Sequence, residues 1–229
     1  MVFPLLVWGA AVGVAAVISY FTYDNWDEIV KYFDGKKIVI LGQRASGKTT
    51  LLHFLLKGKI PETPGATIGV DNVSVDGKSL KELNLEVKLS NTQKDFSGCN
   101  GSYESWITGA AKAHLLVYLF RIDEWILNTD QVEANIQRDI NNIMQSDIKK
   151  DVTFFLIGTH LDLLNGIEFN NPQEEHQFIQ EIINEPFFKG IQNQFSNNER
   201  RTFVVMGSLK DQVGLSKVAD SIMRNALES

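Results

Sequence analysis

The chain has 229 residues, of which 44% are hydrophobic and 22% are charged, and this composition excludes a disordered or low-complexity protein and predicts one globular domain. The net charge of -6 at pH 7 argues against nucleic acid as a partner, because nucleic-acid-binding surfaces are rich in lysine and arginine. Cys99 is the single cysteine, so no intramolecular disulfide can form and we expect a reducing compartment.

The amino-terminal segment predicts a single-pass membrane anchor. Residues 1–23 contain no charged side chain, and about 20 apolar residues in a helix can cross a bilayer; residues 2–23 would contact the lipid. A cleaved signal peptide and a buried helix are the alternatives, although the basic start typical of signal peptides is missing. Residues 24–35 form a juxtamembrane stretch. The positive charges that follow the anchor predict that the rest of the chain faces the cytoplasm; they are Lys31, Lys36 and Lys37.

From residue 36 to residue 229, strand and helix patterns alternate. The predicted strands are Lys37–Leu41, Val70–Val75, Leu83–Leu89, His114–Phe120, Val152–Ile157 and Thr202–Met206. The predicted helices are Thr49–Leu56, Tyr103–Lys112, Asp130–Lys149, Gln173–Phe188 and Leu215–Leu227, with Gln192–Arg201 as a loop. This order predicts an α/β domain with a six-stranded, mostly parallel sheet and helices on both faces. The turn Asp76-Gly77 predicts that the second and third strands form an antiparallel hairpin.

A phosphate-binding motif follows the first strand. The residues Gly42-Gln43-Arg44-Ala45-Ser46-Gly47-Lys48-Thr49 match the pattern G-x-x-x-x-G-K-[ST] between a strand and a helix. The glycines let backbone N–H groups turn towards phosphate oxygens, and the helix amino terminus adds positive potential. Lys48 would reach the β- and γ-phosphates, and the hydroxyl of Thr49 would bind Mg²⁺. Thr50 completes the predicted nucleotide-binding segment.

From about Lys36 to Ala226, the order of motifs resembles the Ras superfamily of small GTPases, a P-loop NTPase fold that binds GTP or GDP with Mg²⁺. The surroundings of Thr67, in Gly65-Ala66-Thr67-Ile68-Gly69, are similar to the Arf group. The resemblance implies that Thr67 binds Mg²⁺ and senses the γ-phosphate. It also implies a protein effector or activating partner at the two switch loops.

The second switch of this family is matched by Asp95-Phe96-Ser97-Gly98. The resemblance implies that Asp95 holds Mg²⁺ through water and that the N–H of Gly98 meets the γ-phosphate. Five polar residues separate Asp95 from the end of the preceding strand, so Asn91-Thr92 is an alternative alignment in which the acid is lost.

Two substitutions near the phosphates point to slow hydrolysis. Cys99 stands where the family usually has a glutamine that orients the attacking water, and a thiol is poorly suited to that role. Arg44 replaces a glycine common in Ras-like loops. A side chain that acts in cis on the γ-phosphate is one interpretation, and a solvent-facing side chain is the favoured one. We therefore expect a slow intrinsic rate or a partner that supplies the missing group.

Base recognition is predicted at two loops. Thr159-His160-Leu161-Asp162 stands where the family has [NT]-K-x-D, and this variant resembles Roc domains. The resemblance implies that Asp162 accepts hydrogen bonds from guanine. His160 replaces the lysine that usually flanks the base; it could still stack on the base, and a loop histidine without a ligand is the alternative. Ser208-Leu209-Lys210 matches the family's S-A-K loop, in which the backbone N–H of Leu209 would meet the guanine oxygen.

These features predict a membrane-anchored GTP/GDP switch. The plan of one anchor followed by an Arf-like GTPase resembles the family of signal-recognition-particle receptor beta subunits, which implies a role in protein targeting or membrane-associated assembly. A non-hydrolysing GTP-binding scaffold or membrane tether is the main alternative, motivated by Cys99 and by the alternative alignment of the second switch at Asn91-Thr92. An ATPase or kinase of the wider P-loop class is a third, and Asp162 argues against it.

Overall fold

A parallel five-stranded sheet forms the centre of the protein. The computed structural model describes residues 36–57, 88–89, 101–145, 147–164, 167, 169, 171–197 and 200–227. In these ranges the strands are β1 Ile38–Gly42, β2 Lys88–Leu89, β3 Leu115–Arg121, β4 Thr153–Thr159 and β5 Arg201–Met206. Their order in the sheet is β2-β1-β3-β4-β5, and every neighbouring pair is parallel.

Helices cover both faces of the sheet. They are α1 Lys48–Lys57, α2 Gly101–Ala110, α3 Ile122–Leu127, α4 Thr129–Met144, α5 Pro172–Ile183, α6 Pro186–Ser196 and α7 Gln212–Leu227, with a 3₁₀ turn at Leu161–Leu163. Apolar side chains from α1 and α7 form the core on one face. Those from α2, α4 and α6 form the core on the other. Because both faces are covered, the central strands are continuously apolar instead of alternating, as the buried run of β3 shows.

The strand order predicts where a ligand binds to this parallel sheet. β1 lies between β2 and β3, so the chain leaves β1 with neighbours on both sides. Ligands bind beyond the carboxyl ends of parallel strands, at the point where the strand order reverses. The loop that follows β1 lies at this point.

The structure differs from the predicted helix boundaries in three places. The predicted single helix Gln173–Phe188 is two helices, α5 and α6, because Pro186 begins a new helix and a proline cannot continue one from within. The predicted loop Gln192–Arg201 is helical as far as Ser196. The predicted helix Asp130–Lys149 ends earlier, at Met144.

Part of the predicted architecture lies outside the described residues. Of the predicted hairpin, only Lys88–Leu89 is described, and it pairs in parallel with β1; the predicted antiparallel partner Val70–Val75, which would be the sixth strand, lies outside the described residues. Within the described ranges, no helix combines the length and the apolar character that crossing a bilayer would need. Residues 1–23 lie outside those ranges.

Candidate functional site

The loop between β1 and α1 depends on two glycines with positive φ. Gly42 has φ +132°, and a Cβ there would lie 2.0 Å from the carbonyl oxygen of Leu119 on β3. Gly47 has φ +83°, a conformation that L side chains rarely adopt. The N–H of Gln43 donates to the same Leu119 oxygen at 3.0 Å. The loop is therefore attached directly to the backbone of β3 and can turn sharply away from it.

The side chain of Lys48 makes hydrogen bonds to the backbone of this loop. Its ammonium donates to the carbonyl oxygens of Gly42, at 3.0 Å, and Gln43. The hydroxyl of Ser46 also donates to the Gln43 oxygen, at 2.8 Å. Lys48 is only 4% exposed, and burial lowers its pKa to about 8, against a smaller opposing effect of Asp139. Since burial penalises the cation, an anionic ligand in the loop would be electrostatically favoured.

Thr159 connects the loop after β4 to the phosphate loop. Its side chain is completely buried, and its hydroxyl oxygen lies 3.1 Å from the carbonyl oxygen of Ser46 and 3.0 Å from that of Phe120. The hydroxyl has one hydrogen and can donate to one of these oxygens at a time. The carboxyl ends of β3 and β4 and the phosphate loop therefore meet at this one side chain.

His160 is held in an unusual backbone conformation. Its φ of 64° is left-handed, which costs about 1–2 kcal/mol for a non-glycine residue. Its Nδ1 lies 2.8 Å from the Thr159 hydroxyl. Burial, and then the positive charge of Arg121, lower the pKa of His160, with Asp123, Asp162 and Glu124 opposing them. The imidazole is therefore neutral at pH 7.

The predicted base loops meet each other. The hydroxyl of Ser208 donates to Oδ1 of Asp162 at 2.5 Å, and the N–H of Lys210 donates to the Ser208 hydroxyl at 3.1 Å. The side chain of Leu209 is buried against Gly47, where an added Cβ would lie 2.6 Å from Leu209 Cδ1. Asp162 is exposed and lies inside the 3₁₀ turn, not at its N-cap. The carboxylate of Asp162 is thus accessible to a ligand.

An ion pair beside His160 was not predicted from the sequence. Arg121, the last residue of β3, contacts Oδ2 of Asp123 at 2.5 Å and Glu124 at 3.3 Å. The N–H of Arg121 also lies 3.5 Å from Oε1 of Gln43. The available signal was their position at the carboxyl end of a parallel strand, where ligand-contacting residues concentrate.

The structure gathers only part of the predicted site. The residues from β1, β4 and β5 converge as described, and Arg44 is exposed, in agreement with a solvent-facing side chain. Thr49 and Thr50 lie in the first turn of α1. The predicted switch residues lie outside the described residues; they are Thr67, Asn91, Asp95, Gly98 and Cys99.

The described residues provide limited ligands for a metal. In the part of the chain that the structure covers, no group of three or more histidine, cysteine or acidic side chains could hold a metal ion. Mg²⁺ usually keeps several waters and is bound through few protein groups together with substrate phosphates. The hydroxyl-bearing Thr49, next to Lys48 at the start of α1, fits that limited role for a nucleotide-borne Mg²⁺.

The sequence is similar to one family model and to several known proteins. A sequence model of the Ras family matches residues 37–195. The Ras-related protein Rab-30 of Homo sapiens is 28% identical over 150 residues, which cover 61% of this chain and 63% of that protein. An ABC transporter ATP-binding protein of Streptomyces coelicolor is 34% identical over 74 residues, which cover 30% of this chain and 26% of that protein. The aligned part of the chain thus spans less than two thirds of the length of either relative.

Proposed function

Since this chain belongs to the Ras family, we propose that it is a guanine-nucleotide switch that binds GTP and GDP. One observation carries the proposal: Thr159 joins the loop that ends in Asp162 to the phosphate loop, with its hydroxyl 3.1 Å from the Ser46 carbonyl oxygen. A polar group suited to a base and a loop suited to phosphates are thereby held in one site. This is the arrangement that a nucleotide requires.

Different residues would contact the phosphates, the Mg²⁺ and the base of the nucleotide. The backbone N–H groups of the phosphate loop and Lys48 would hold the phosphates, and Thr49 would bind Mg²⁺ with Thr67 and Asp95. Mg²⁺ would neutralise charge on the phosphates. Asp162 would accept two hydrogen bonds from the guanine edge, which adenine cannot donate. The neutral imidazole of His160 would lie against the base.

Hydrolysis of GTP would be slow or would depend on a partner. Lys48 and the N–H of Gly98 would stabilise negative charge on the γ-phosphate, but Cys99 stands where the family has its water-orienting glutamine. An effector or activating protein would bind the two switch loops, since their conformation would follow the γ-phosphate.

The proposed switch is anchored in a membrane. Residues 1–23 are long and apolar enough to span a bilayer as one helix, and the lysines that follow favour the cytoplasmic side for the GTPase domain. A role in protein targeting or membrane-associated assembly rests on this architecture alone.

The nucleotide carried by the purified protein tests the proposal. The full chain is extracted in detergent without added nucleotide and denatured, and the released nucleotide is identified by chromatography. GDP supports a slow GTPase, and GTP supports the alternative of a non-hydrolysing scaffold. An adenine nucleotide would overturn the assignment of guanine to this site.

A variant at the base loop gives an independent test. Asp162→Ala should reduce the preference for guanine over adenine nucleotides by at least about a hundredfold, because the hydrogen-bonding partner of the guanine edge is removed. Asp147→Ala is the matched control, since Asp147 is also exposed but precedes β4 at the opposite edge of the sheet. Equal nucleotide preferences in the two variants would show that Asp162 does not read the base.

A further inference from the structure

Positive charge is concentrated at the edge of the sheet opposite the nucleotide loops. All five strands are parallel, so their amino-terminal ends lie along one edge. Seven cations whose side chains the structure describes lie at or just before the starts of β1, β3, β4 and β5, against the two aspartates Asp147 and Asp151. We call this group the basic edge: Lys36, Lys37, Lys112, Lys149, Lys150, Arg200 and Arg201. The cluster stands out because the whole chain carries a net charge of -6.

The basic edge is fixed by hydrogen bonds to the fold. His114 lies between two of its members: Nδ1 accepts from the N–H of Lys37 at 2.8 Å, and Nε2 is 3.2 Å from Nζ of Lys149. The guanidinium of Arg200 donates to the carbonyl oxygens of Ile148, at 2.7 Å, and Lys149, at 3.1 Å. These contacts hold the segments that precede four strands, β1, β3, β4 and β5, in one surface.

The cations of this edge are close enough to repel one another. Burial, and then the nearby charge of Arg201, lower the pKa of Lys36. Burial lowers the pKa of His114, and Lys149, Lys36 and Lys37 lower it further, with Asp151 opposing them. Like charges held together are relieved by an anionic partner surface. Lys112 and Lys150 are exposed, so such a surface can reach them.

The position of the basic edge in the chain indicates that a membrane surface is its partner. Lys36 is the first described residue, and residues 24–35 connect it to the apolar segment 1–23. Twelve residues span at most about 40 Å when fully extended. If residues 1–23 cross a bilayer, the twelve residues that follow connect the lipid surface directly to the basic edge, at Lys36.

We propose that the basic edge docks on the anionic lipid headgroups of the membrane that holds residues 1–23. This inference rests on the membrane anchoring proposed above. Cytoplasmic leaflets are negatively charged, and clusters of lysine and arginine next to a membrane segment bind them. Docking through this edge would direct the opposite edge, with the nucleotide loops, away from the membrane and towards soluble partners.

Amine footprinting of the full chain tests the docking. The protein is reconstituted into vesicles of phosphatidylcholine alone or with about 30% phosphatidylserine, a fraction that gives a strongly anionic surface. An acylating reagent then labels exposed lysines, and mass spectrometry measures the rate at each site. Lys112 and Lys150 should react at least about threefold more slowly on the phosphatidylserine vesicles, and about 0.5 M NaCl should abolish the difference by screening. The exposed Lys189 and Lys217, on α6 and α7, should react equally on both.

Charge-reversal variants separate a specific edge from general attraction. Lys112→Glu/Lys150→Glu should remove the protection of Lys36 and Lys149 on phosphatidylserine vesicles. The control Lys189→Glu/Lys217→Glu changes the net charge equally and should preserve it. Thermal unfolding of each variant checks that the fold is intact. Loss of protection in both variants would overturn the proposal.

Alkaline carbonate extraction of the same vesicles reports on the anchor separately. Resistance to extraction without lysine protection would leave the anchor standing and overturn the docking. Extraction with salt-sensitive protection would refute the anchor and support the docking. Protection of the same lysines by duplex nucleic acid but not by vesicles would also overturn the proposal.

Discussion

The most informative perturbation of the site is Thr159→Val, which replaces one hydroxyl with a methyl group of similar size. The side chain is completely buried, so water cannot replace its hydrogen bond to either Ser46 or Phe120. Leaving a buried polar group unsatisfied costs about 1–3 kcal/mol. In a domain of this size, each kcal/mol lowers the melting temperature by about 2–4 °C.

Thr202→Val is a matched control on the same sheet. Thr202 is only 3% exposed, but its hydroxyl has no hydrogen-bond partner among the residues that the structure describes. Its replacement by valine should leave the free energy of unfolding unchanged or raise it by up to about 1 kcal/mol, because an unsatisfied polar group is removed.

Urea unfolding followed by circular dichroism measures both variants, and the release of a fluorescent guanine nucleotide gives a second readout. Thr159→Val should unfold at lower urea and release nucleotide faster, because the Ser46 carbonyl loses its attachment to β4. Equal losses of stability in the two variants would refute the bridging role of Thr159. A stability loss with unchanged nucleotide release would confine that role to folding.

Three further predictions follow from contacts of the described residues. Ser208→Ala should weaken guanine-nucleotide binding by about threefold to tenfold, measured by fluorescence titration, because Asp162 loses the donor that orients it. Burial lowers the pKa of both His114 and His160 below 6.5, so the unfolded chain binds protons at a higher pH than the folded protein does. The urea concentration at the unfolding midpoint should therefore decrease as the pH is lowered from about 7 to 5.5. The decrease should be smaller in His160→Gln. Gly190 lies on α6, and a Cβ added there would meet no atom within 4 Å. Gly190→Ala should therefore raise the free energy of unfolding by about 0.5–1 kcal/mol. A lower melting temperature would contradict the open space at this position.

The central strands could be predicted because their signal is local. A fully buried parallel strand is a continuous apolar run, and β3 and β5 begin or end within one residue of the prediction. β4 continues two residues further, through Gly158 and Thr159, because it remains paired with β3. The split between α5 and α6 also had a signal, Pro186, which the apolar periodicity around it obscured.

The geometry of the site could be predicted only in outline. The motif around Lys48 identified the phosphate loop from eight consecutive residues. The contact between Thr159 and Ser46 joins residues 113 positions apart, and no local pattern encodes such a contact. The ion pair of Arg121 with Asp123 was missed for a related reason, because its importance comes from its proximity to His160 in the folded protein.

The central position of β1 in the sheet has a consequence for synthesis of the chain on the ribosome. β1 is translated first, but its neighbour β3 starts about 77 residues later, as the contact of Lys37 with His114 shows. At about 5–20 residues per second, this delay lasts about 4–15 seconds. The apolar strand IVILG is therefore without this neighbour during that time. β3, β4 and β5 are consecutive neighbours, so the carboxyl-terminal half can assemble as it is made and then receive β1.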